Sequence, residues 1–290
     1  MAKWQTVYSH KAVTVCRGFD IAGAHVGDVQ VVDFEAGGKM RVMSEPEPGQ
    51  EIGTSDTRFD RKTGLGWFWW AQANVTSPAA AQLFSATSGS PFSLDATGRA
   101  TMKFPQKKWN TLMSSGSERA CHNMPELGVT GKRYFGLSDP RLPGRQTPYI
   151  DQYEDPCQSA PATATAALSG YHGRPVSLFD ATVAFHPQYE TSTGQGRRAF
   201  IGTRSMDGMW EGTQDRAYVF TSSSIWPGYL TVGQARALLV NDFHTMYNLQ
   251  LDGASSGYHS ILDGASAQDA SNDESGVRGV PEVLLIYNAP

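Results

Sequence analysis

No stretch of this chain approaches the roughly 20 consecutive apolar residues that span a bilayer. The N-terminus, MAKWQTVYSHKAVTVCRGF, also lacks the apolar segment and small-residue cleavage site of a secretory signal. The chain therefore reads as soluble, without membrane insertion and without a signal peptide of its own, its compartment left open to an extracellular or surface-associated location. Basic charge is scarce too. Lys and Arg number 24 against 28 Asp and Glu, for a formal net charge of -4 and a pI ≈ 6.0, and no local basic patch stands out. Nucleic acid is not expected as a partner on that ground. Cysteine is sparse and unpaired in sequence: Cys16, Cys121 and Cys157 include no CxxC, which argues against a zinc ribbon or a thioredoxin-like site. Cys121 and Cys157 flank one loop-rich segment and would pair in an oxidising compartment; the alternative is three free thiols. His186 with Glu190 is too isolated a pair for a metal, and the acidic run 269–275, DASNDES, lacks the alternating ligands and sixth-position glycine of a calcium loop. No metal and no cofactor is expected.

Long Leu/Ala/Glu/Lys tracts are missing as well, while Gly (30) and Pro (16) are plentiful. A hydrophobic content of 40% still allows a substantial core. This balance predicts an α+β fold of mixed, mostly antiparallel sheets with a few packed helices, in a single domain over residues 1–290. Residues 28–45 alternate apolar positions on both sides of Ala36-Gly37-Gly38, predicting a β-hairpin. TGLGWFWWAQANV, residues 63–75, reads as a buried central strand, its aromatics pointing to both faces. Ser77-Pro78 predicts a short helix through residue 86, and PFSLDATGRATMKF a hairpin turning at Ala96 to Gly98. Residues 106–176 carry many chain breakers and little periodicity, and are expected to form a loop-rich insertion of loops and short strands at a domain edge.

Order returns after residue 176 with three strands, VSLFDATVAFHP, GRRAFIGTRSM and RAYVFTSSS. TVGQARALLVNDF follows with a capping-box pattern, Thr231 and Gln234, and an apolar stripe of Val232, Ala235, Leu238, Leu239 and Phe243. YNLQLDG then alternates Tyr247, Leu249 and Leu251 with Asn248, Gln250 and Asp252, as a half-buried strand does, and PEVLLIYNA is apolar on both faces and reads as central. The element Leu-Asp-Gly-Ala-Ser occurs twice, at Leu251 and at Leu262. Only the first copy ends an alternating strand fed by a capped helix, so Asp252 is the candidate carboxylate and Asp263 is assigned to a loop at the rim.

These segments resemble the phosphodiester glycosidase family. YNLQLDGASSGY is similar to that family's Asp-Gly-small-Ser-Ser element after a helix, RRAFIGTRSMDG to its strand bearing an Arg and a Gly, matched here by Arg198 and Gly202, and TSGSPF to its Asn-Gly segment, matched by Ser88 and Gly89. The resemblance implies hydrolysis of a sugar 1-phosphodiester in a glycan or sugar-phosphate conjugate. Such chemistry needs cations or N–H donors beside the phosphate and a carboxylate beside the anomeric carbon. Asp252 and Arg198 are the matched catalytic pair, with His259 the nearest titratable candidate for a general acid; Gly253, Ser255, Ser256, Ser88, Gly89 and Gly202 would line the substrate site. The chain departs from the family pattern at Ala254, Ser88, Arg197, Ala199 and VFTSSS. Those departures motivate an alternative, a catalytically degenerate glycan-binding or structural module. A third reading places the chain in a surface or virion assembly.

Overall fold

The computed structural model describes residues 2–74, 82–89, 92–103, 106–108, 111–117, 134–137, 146, 148–151, 180–183, 195–204, 215–223, 229–251, 259–263, 266–269 and 279–288. In chain order the strands before the first helix are β1 (Lys3–His10), β2 (Val13–Phe19), β3 (His25–Asp33), β4 (Gly38–Ser44) and β5 (Arg58–Phe59), followed by α1 (Gly64–Asn74). Then come β6 (Gln82–Ser88), β7 (Phe92–Leu94), β8 (Ala100–Met102), β9 (Gln106–Lys108), β10 (Thr111–Ser114), β11 (Tyr134–Leu137), β12 (Pro148–Asp151) and β13 (Asp180–Val183). The remainder is β14 (Ala199–Arg204), β15 (Arg216–Ser222), α2 (Val232–Phe243), β16 (Tyr247–Gln250), β17 (His259–Asp263), β18 (Ser266–Asp269) and β19 (Glu282–Asn288). Every pairing between these strands is antiparallel, and the described residues contain two helices. Sheets dominate, as expected; helix content is low.

The strands form four sheets, in the orders β1-β2-β3-β15-β14-β16, β18-β17-β6-β19-β4, β10-β9-β13-β11-β12 and β5-β8-β7. The first two pack face to face around a core of Val13, Val15, Ile201, Val219 and Leu249 from one sheet and Met40, Val42, Leu284 and Ile286 from the other. The outer face of the first sheet carries α2 over Val29, Phe200, Tyr218 and Phe220. The outer face of the second carries α1, with Trp67, Phe68 and Ala71 against Val283, Leu285 and Ala86. One polar bridge joins the two central layers: Gln30 donates through Nε2 to Thr87 Oγ1 at 3.1 Å, and its Oε1 accepts from the Ser85 hydroxyl.

Four expectations need correction. β3 and β4 are not a hairpin; they belong to different sheets, because β3 is already bonded on both edges, by β2 and β15, and has no side left for β4. The connection is an arch that carries the chain from one layer to the other. Asp33 Oδ1 accepts from the backbone N–H groups of Glu35 and Ala36, both at 3.0 Å, and Gly38 is required because a Cβ there would stand 2.6 Å from the Asp33 carbonyl oxygen.

Residues 64–74 form α1 rather than a strand. Consecutive aromatics carry no period of two, and Gly64, Trp67, Phe68 and Ala71 fall on the buried side of a helix. Thr63 opens it: its Oγ1 accepts from Gly66 N–H at 3.1 Å and its carbonyl from Trp67 N–H at 2.8 Å. The indole N–H of Trp67 donates to the Val280 carbonyl at 2.7 Å, which settles the one polar atom of a fully buried ring.

The helix expected from Ser77 to residue 86 lies outside the described residues up to 81, and from Gln82 the chain is strand β6, paired on both edges by β17 and β19. Long-range pairing overrides local propensity there. Asp263 is not a loop residue: it ends β17 and pairs in register with Ser266 of β18.

The segment expected at a domain edge supplies β9 to β12, and Phe135 and Leu137 of β11 are fully buried in the central core. It also covers the exposed edge of β4. The Gln146 carboxamide accepts from Met40 N–H at 2.8 Å and donates to Met40 O at 2.9 Å, acting as a strand partner would. Other expectations hold in the described residues. β7 and β8 form the hairpin, turned by Asp95, whose Oδ1 accepts from Thr97 N–H and Arg99 N–H at 2.8 and 3.0 Å. α2 has the full capping box, Thr231 Oγ1 accepting from Gln234 N–H and Gln234 Oε1 from Thr231 N–H. β19 is central, between β6 and β4.

Candidate functional site

Strand alternation makes the inner faces of the two central sheets readable row by row. In the first sheet one row is Val13–Val32–Ala217, the next Val15–Gln30–Val219–Ile201–Leu249, and the next Arg17–Asp28–Thr221–Ala199. In the second sheet the rows run Met40–Ile286–Ser85, then Val42–Leu284–Thr87, then Ser44–Glu282 with Gly89 beside it. Both faces change from apolar to polar at the end opposite the β3–β4 arch. Polar side chains are thus gathered between two sheets where a larger core would otherwise continue.

These groups are buried. Asp28 is 2% exposed, Glu282 1%, and Ser44, Thr87 and Gln30 are fully enclosed. Asp28 is held from two sides. Arg17 reaches it with Nε to Oδ1 at 3.0 Å and Nη2 to Oδ2 at 3.2 Å, and His25 Nε2 lies 3.0 Å from Oδ1. Hydrogen bonding to Asp28 holds the Arg17 guanidinium above its ordinary pKa, against the opposing effect of burial. Glu282 rests on Gly89: a Cβ at that glycine would come within 2.8 Å of Glu282 Cγ, and Gly89 N–H donates to the Glu282 carbonyl at 3.1 Å. The hydroxyl of Thr221, next to Asp28 in the row, is buried and has no hydrogen-bond partner among the described residues.

Arg198 immediately precedes β14 at this same end. Its backbone N–H donates to Ser222 Oγ at 2.8 Å and its Nε–H to the Leu230 carbonyl at 3.0 Å, so the plane of the guanidinium is fixed. The neighbouring Arg197 is held below its ordinary pKa by burial, with Tyr229 acting in the opposite direction through its charge and a hydrogen bond. Ser88 and Gly89 close β6 at this end, and the backbone of His259 opens β17 there, paired with Thr87. Register therefore brings Arg198, Ser88, Gly89 and His259 to one end of the sandwich.

Gly202 is not among them. It lies mid-strand on the outer face, where a Cβ would stand 2.6 Å from Asn248 Oδ1 and 2.8 Å from Thr245 Cγ2, so its role is to let the end of α2 pack closely. Asn248 and Gln250, expected on a solvated face, are buried beneath that helix layer at 4% and 7% exposure. Asp252, Gly253, Ser255 and Ser256 lie outside the described residues, as do Cys121 and Cys157. The residue before them, Leu251, is buried and donates its N–H to the Ala199 carbonyl at 2.9 Å, next to Arg198.

Sequence reasoning missed Arg17, His25, Asp28, Thr221 and Glu282. A signal for part of this set was present: Asp28 and Gln30 alternate with valines in HVGDVQVVD, and Glu282 opens an otherwise apolar strand. A polar residue inside a strand bonded on both edges belongs to a buried site more often than to a solvated face.

No protein-family profile and no curated relative matches the chain. Among solved structures it is similar to the catalytic domain of zebrafish N-acetylglucosamine-1-phosphodiester alpha-N-acetylglucosaminidase auto-inhibited by its pro-peptide, with a TM-score of 0.51 and 12% identity over 98% of this chain and 87% of that one. It is also similar to a hypothetical protein from Synechocystis, with a TM-score of 0.51 and 10% identity over 99% of this chain and 64% of that one. At such identities the likeness is one of fold: this chain shares, distantly, the architecture of a phosphodiester glycosidase catalytic domain.

Proposed function

We propose that the chain is a hydrolase that cleaves the bond between a sugar's anomeric carbon and a phosphodiester, in one phosphodiester glycosidase-like α+β domain over residues 1–290 with an insertion at about 106–176. The observation that carries this reading is the polar end of the sandwich, beside Arg198, Ser88 and Gly89, in a fold shared with a phosphodiester glycosidase domain. Arg198 would meet the phosphate, its guanidinium oriented by the Nε–H bond to the Leu230 carbonyl. Asp252, directly after Leu251, would stabilise positive charge at the anomeric carbon, and the backbone N–H groups and hydroxyls of Gly253, Ser255 and Ser256 would hold phosphate or sugar hydroxyls. His259 would protonate the leaving oxygen where a proton is needed. A phosphate monoester already leaves readily.

The test is release of reducing sugar from a panel of sugar 1-phosphodiesters. Asp252→Asn is expected to lower turnover by about a hundredfold or more, and full activity in that variant would sink the assignment. A second reading, a glycan-binding module without turnover, is favoured by one observation: Ser222, in the VFTSSS strand end, uses its hydroxyl on Arg198 N–H. Tight glycan binding with no sugar released from any diester would select it.

A further inference from the structure

We propose that His25, oriented by Asp28, is the group that takes the proton from the attacking water at the polar end of the sandwich. The proposal deepens the hydrolase reading above and rests on it.

The Asp28 carboxylate is 2% exposed and its two oxygens are matched by Arg17 at 3.0 and 3.2 Å, so its charge is answered before His25 is considered. The third contact, His25 Nε2 to Oδ1 at 3.0 Å, therefore serves the ring more than the carboxylate. With Nε2 donating to an ionised acceptor, the neutral imidazole carries its lone pair on Nδ1; the hydrogen bond selects the tautomer. A carboxylate that fixes the tautomer and then stabilises the imidazolium is the arrangement that makes histidine an effective base. The side chain of His25 keeps 32% of its surface exposed, so water reaches the ring although its partner is buried.

Position agrees with the role. Asp28 stands in the row that continues through Thr221 to Ala199, and Arg198 precedes Ala199. Two inter-strand steps separate β3 from β14, about 10 Å, a span a sugar ring with its phosphate can bridge. Between them lies the buried hydroxyl of Thr221, which has no partner among the described residues and can hydrogen-bond a substrate oxygen.

In the step itself, the water oxygen bonds to the anomeric carbon as the bond from that carbon to the phosphate oxygen breaks, and the bonding pair leaves on the phosphate. The water proton passes to His25 Nδ1, and the resulting imidazolium is held by Asp28 until it loses that proton to solvent. The products are the free sugar and a phosphate monoester, with no oxidant or reductant required.

The experiment uses the full chain with isotopically labelled histidine rings, titrated with N-acetylglucosamine 1-phosphate, and the same chain assayed on a sugar 1-phosphodiester. The expected result is a saturable shift of the His25 ring signals, assigned by their loss in His25→Gln, together with a fall in kcat of about a hundredfold in that variant and a KM within a few-fold of the parent. Asp28→Asn supplies an independent arm should His25→Gln fold poorly: the nitrogen shifts of His25 should report a changed Nδ1–H to Nε2–H ratio, with kcat lowered and KM retained. His25 ring signals that stay in place throughout the titration overturn the proposal, as does an unchanged kcat in a folded His25→Gln. A parent chain whose His25 ring shifts with the probe but which releases no sugar keeps the contact and removes the hydrolase reading instead.

Discussion

The two ends of the central sandwich are built from the same strands and differ in almost everything else. At the arch end the chain is sealed: Gly38 packs on the Asp33 carbonyl, Arg216 pairs with Asp33 Oδ2 at 2.8 and 3.0 Å, and Asn288 Oδ1 accepts from Ala12 N–H at 3.2 Å. At the other end the inner faces carry Arg17, Asp28, Thr221, Ser44 and Glu282 where the rows below carry mainly Val, Leu and Ile around the Gln30–Thr87–Ser85 bridge. Burying charge and hydroxyls adds little to stability and often reduces it. One end holds the fold; the other is maintained at a cost in stability that a binding or catalytic role would explain.

Substitutions placed along single strands test that division. Leu284→Ala, in the apolar row of β19, should lose about 2–5 kcal/mol in urea unfolding. Glu282→Gln, on the same strand, the same face and the next row, should unfold no more easily than the parent while losing turnover or sugar-phosphate binding. If the two lose stability alike, the contrast between rows fails. At the arch, Gly38→Ala forces a Cβ against backbone that cannot move aside and should lose about 1–3 kcal/mol. Its counterpart Gly89→Ala meets first the side-chain atoms of Glu282 and should chiefly weaken ligand affinity, with a smaller loss of stability than Gly38→Ala.

Smaller effects follow. Thr231→Ala removes the Oγ1 half of the α2 capping box and should lower stability by about 1 kcal/mol in thermal melts. Arg216→Ala breaks a partly exposed pair and should lower stability by less than about 1 kcal/mol, the difference shrinking in high salt. Thr221→Val deletes a buried hydroxyl that has no partner among the described residues, so melting should be unchanged or slightly raised. A large loss of stability there would mean that Thr221 belongs to the structural end.

The sequence was most readable where short-range chemistry decides the outcome. The capping box of α2 needs only Thr231 and Gln234, and the β7–β8 hairpin needs only Asp95 and a glycine at Gly98 with φ 80. It was least readable where a distant strand decides. Residues 28–45 have the local pattern of a hairpin, yet β15, nearly two hundred residues later in the chain, occupies the edge that β4 would have used. The WFWW run is equally apolar under either periodicity, and helix or strand is chosen by the hydrophobic outer face of the second sheet on which it lies. The same reason divides the site. Arg198, Ser88, Gly89 and His259 belong to segments recognisable one at a time, whereas the Arg17–Asp28–His25 group and Glu282 acquire meaning only when two sheets face each other.

Gln30 has one further consequence. Its carboxamide engages Thr87 as donor and Ser85 as acceptor, both across the gap between layers, and it stands one row below Asp28. Sliding one sheet past the other, or prising them apart, breaks two enclosed hydrogen bonds at once. The amide therefore acts as a riveted floor under the polar end. On the proposed function, a longer ligand could not make room by pressing downward, and its extra length would have to lie outside the sandwich.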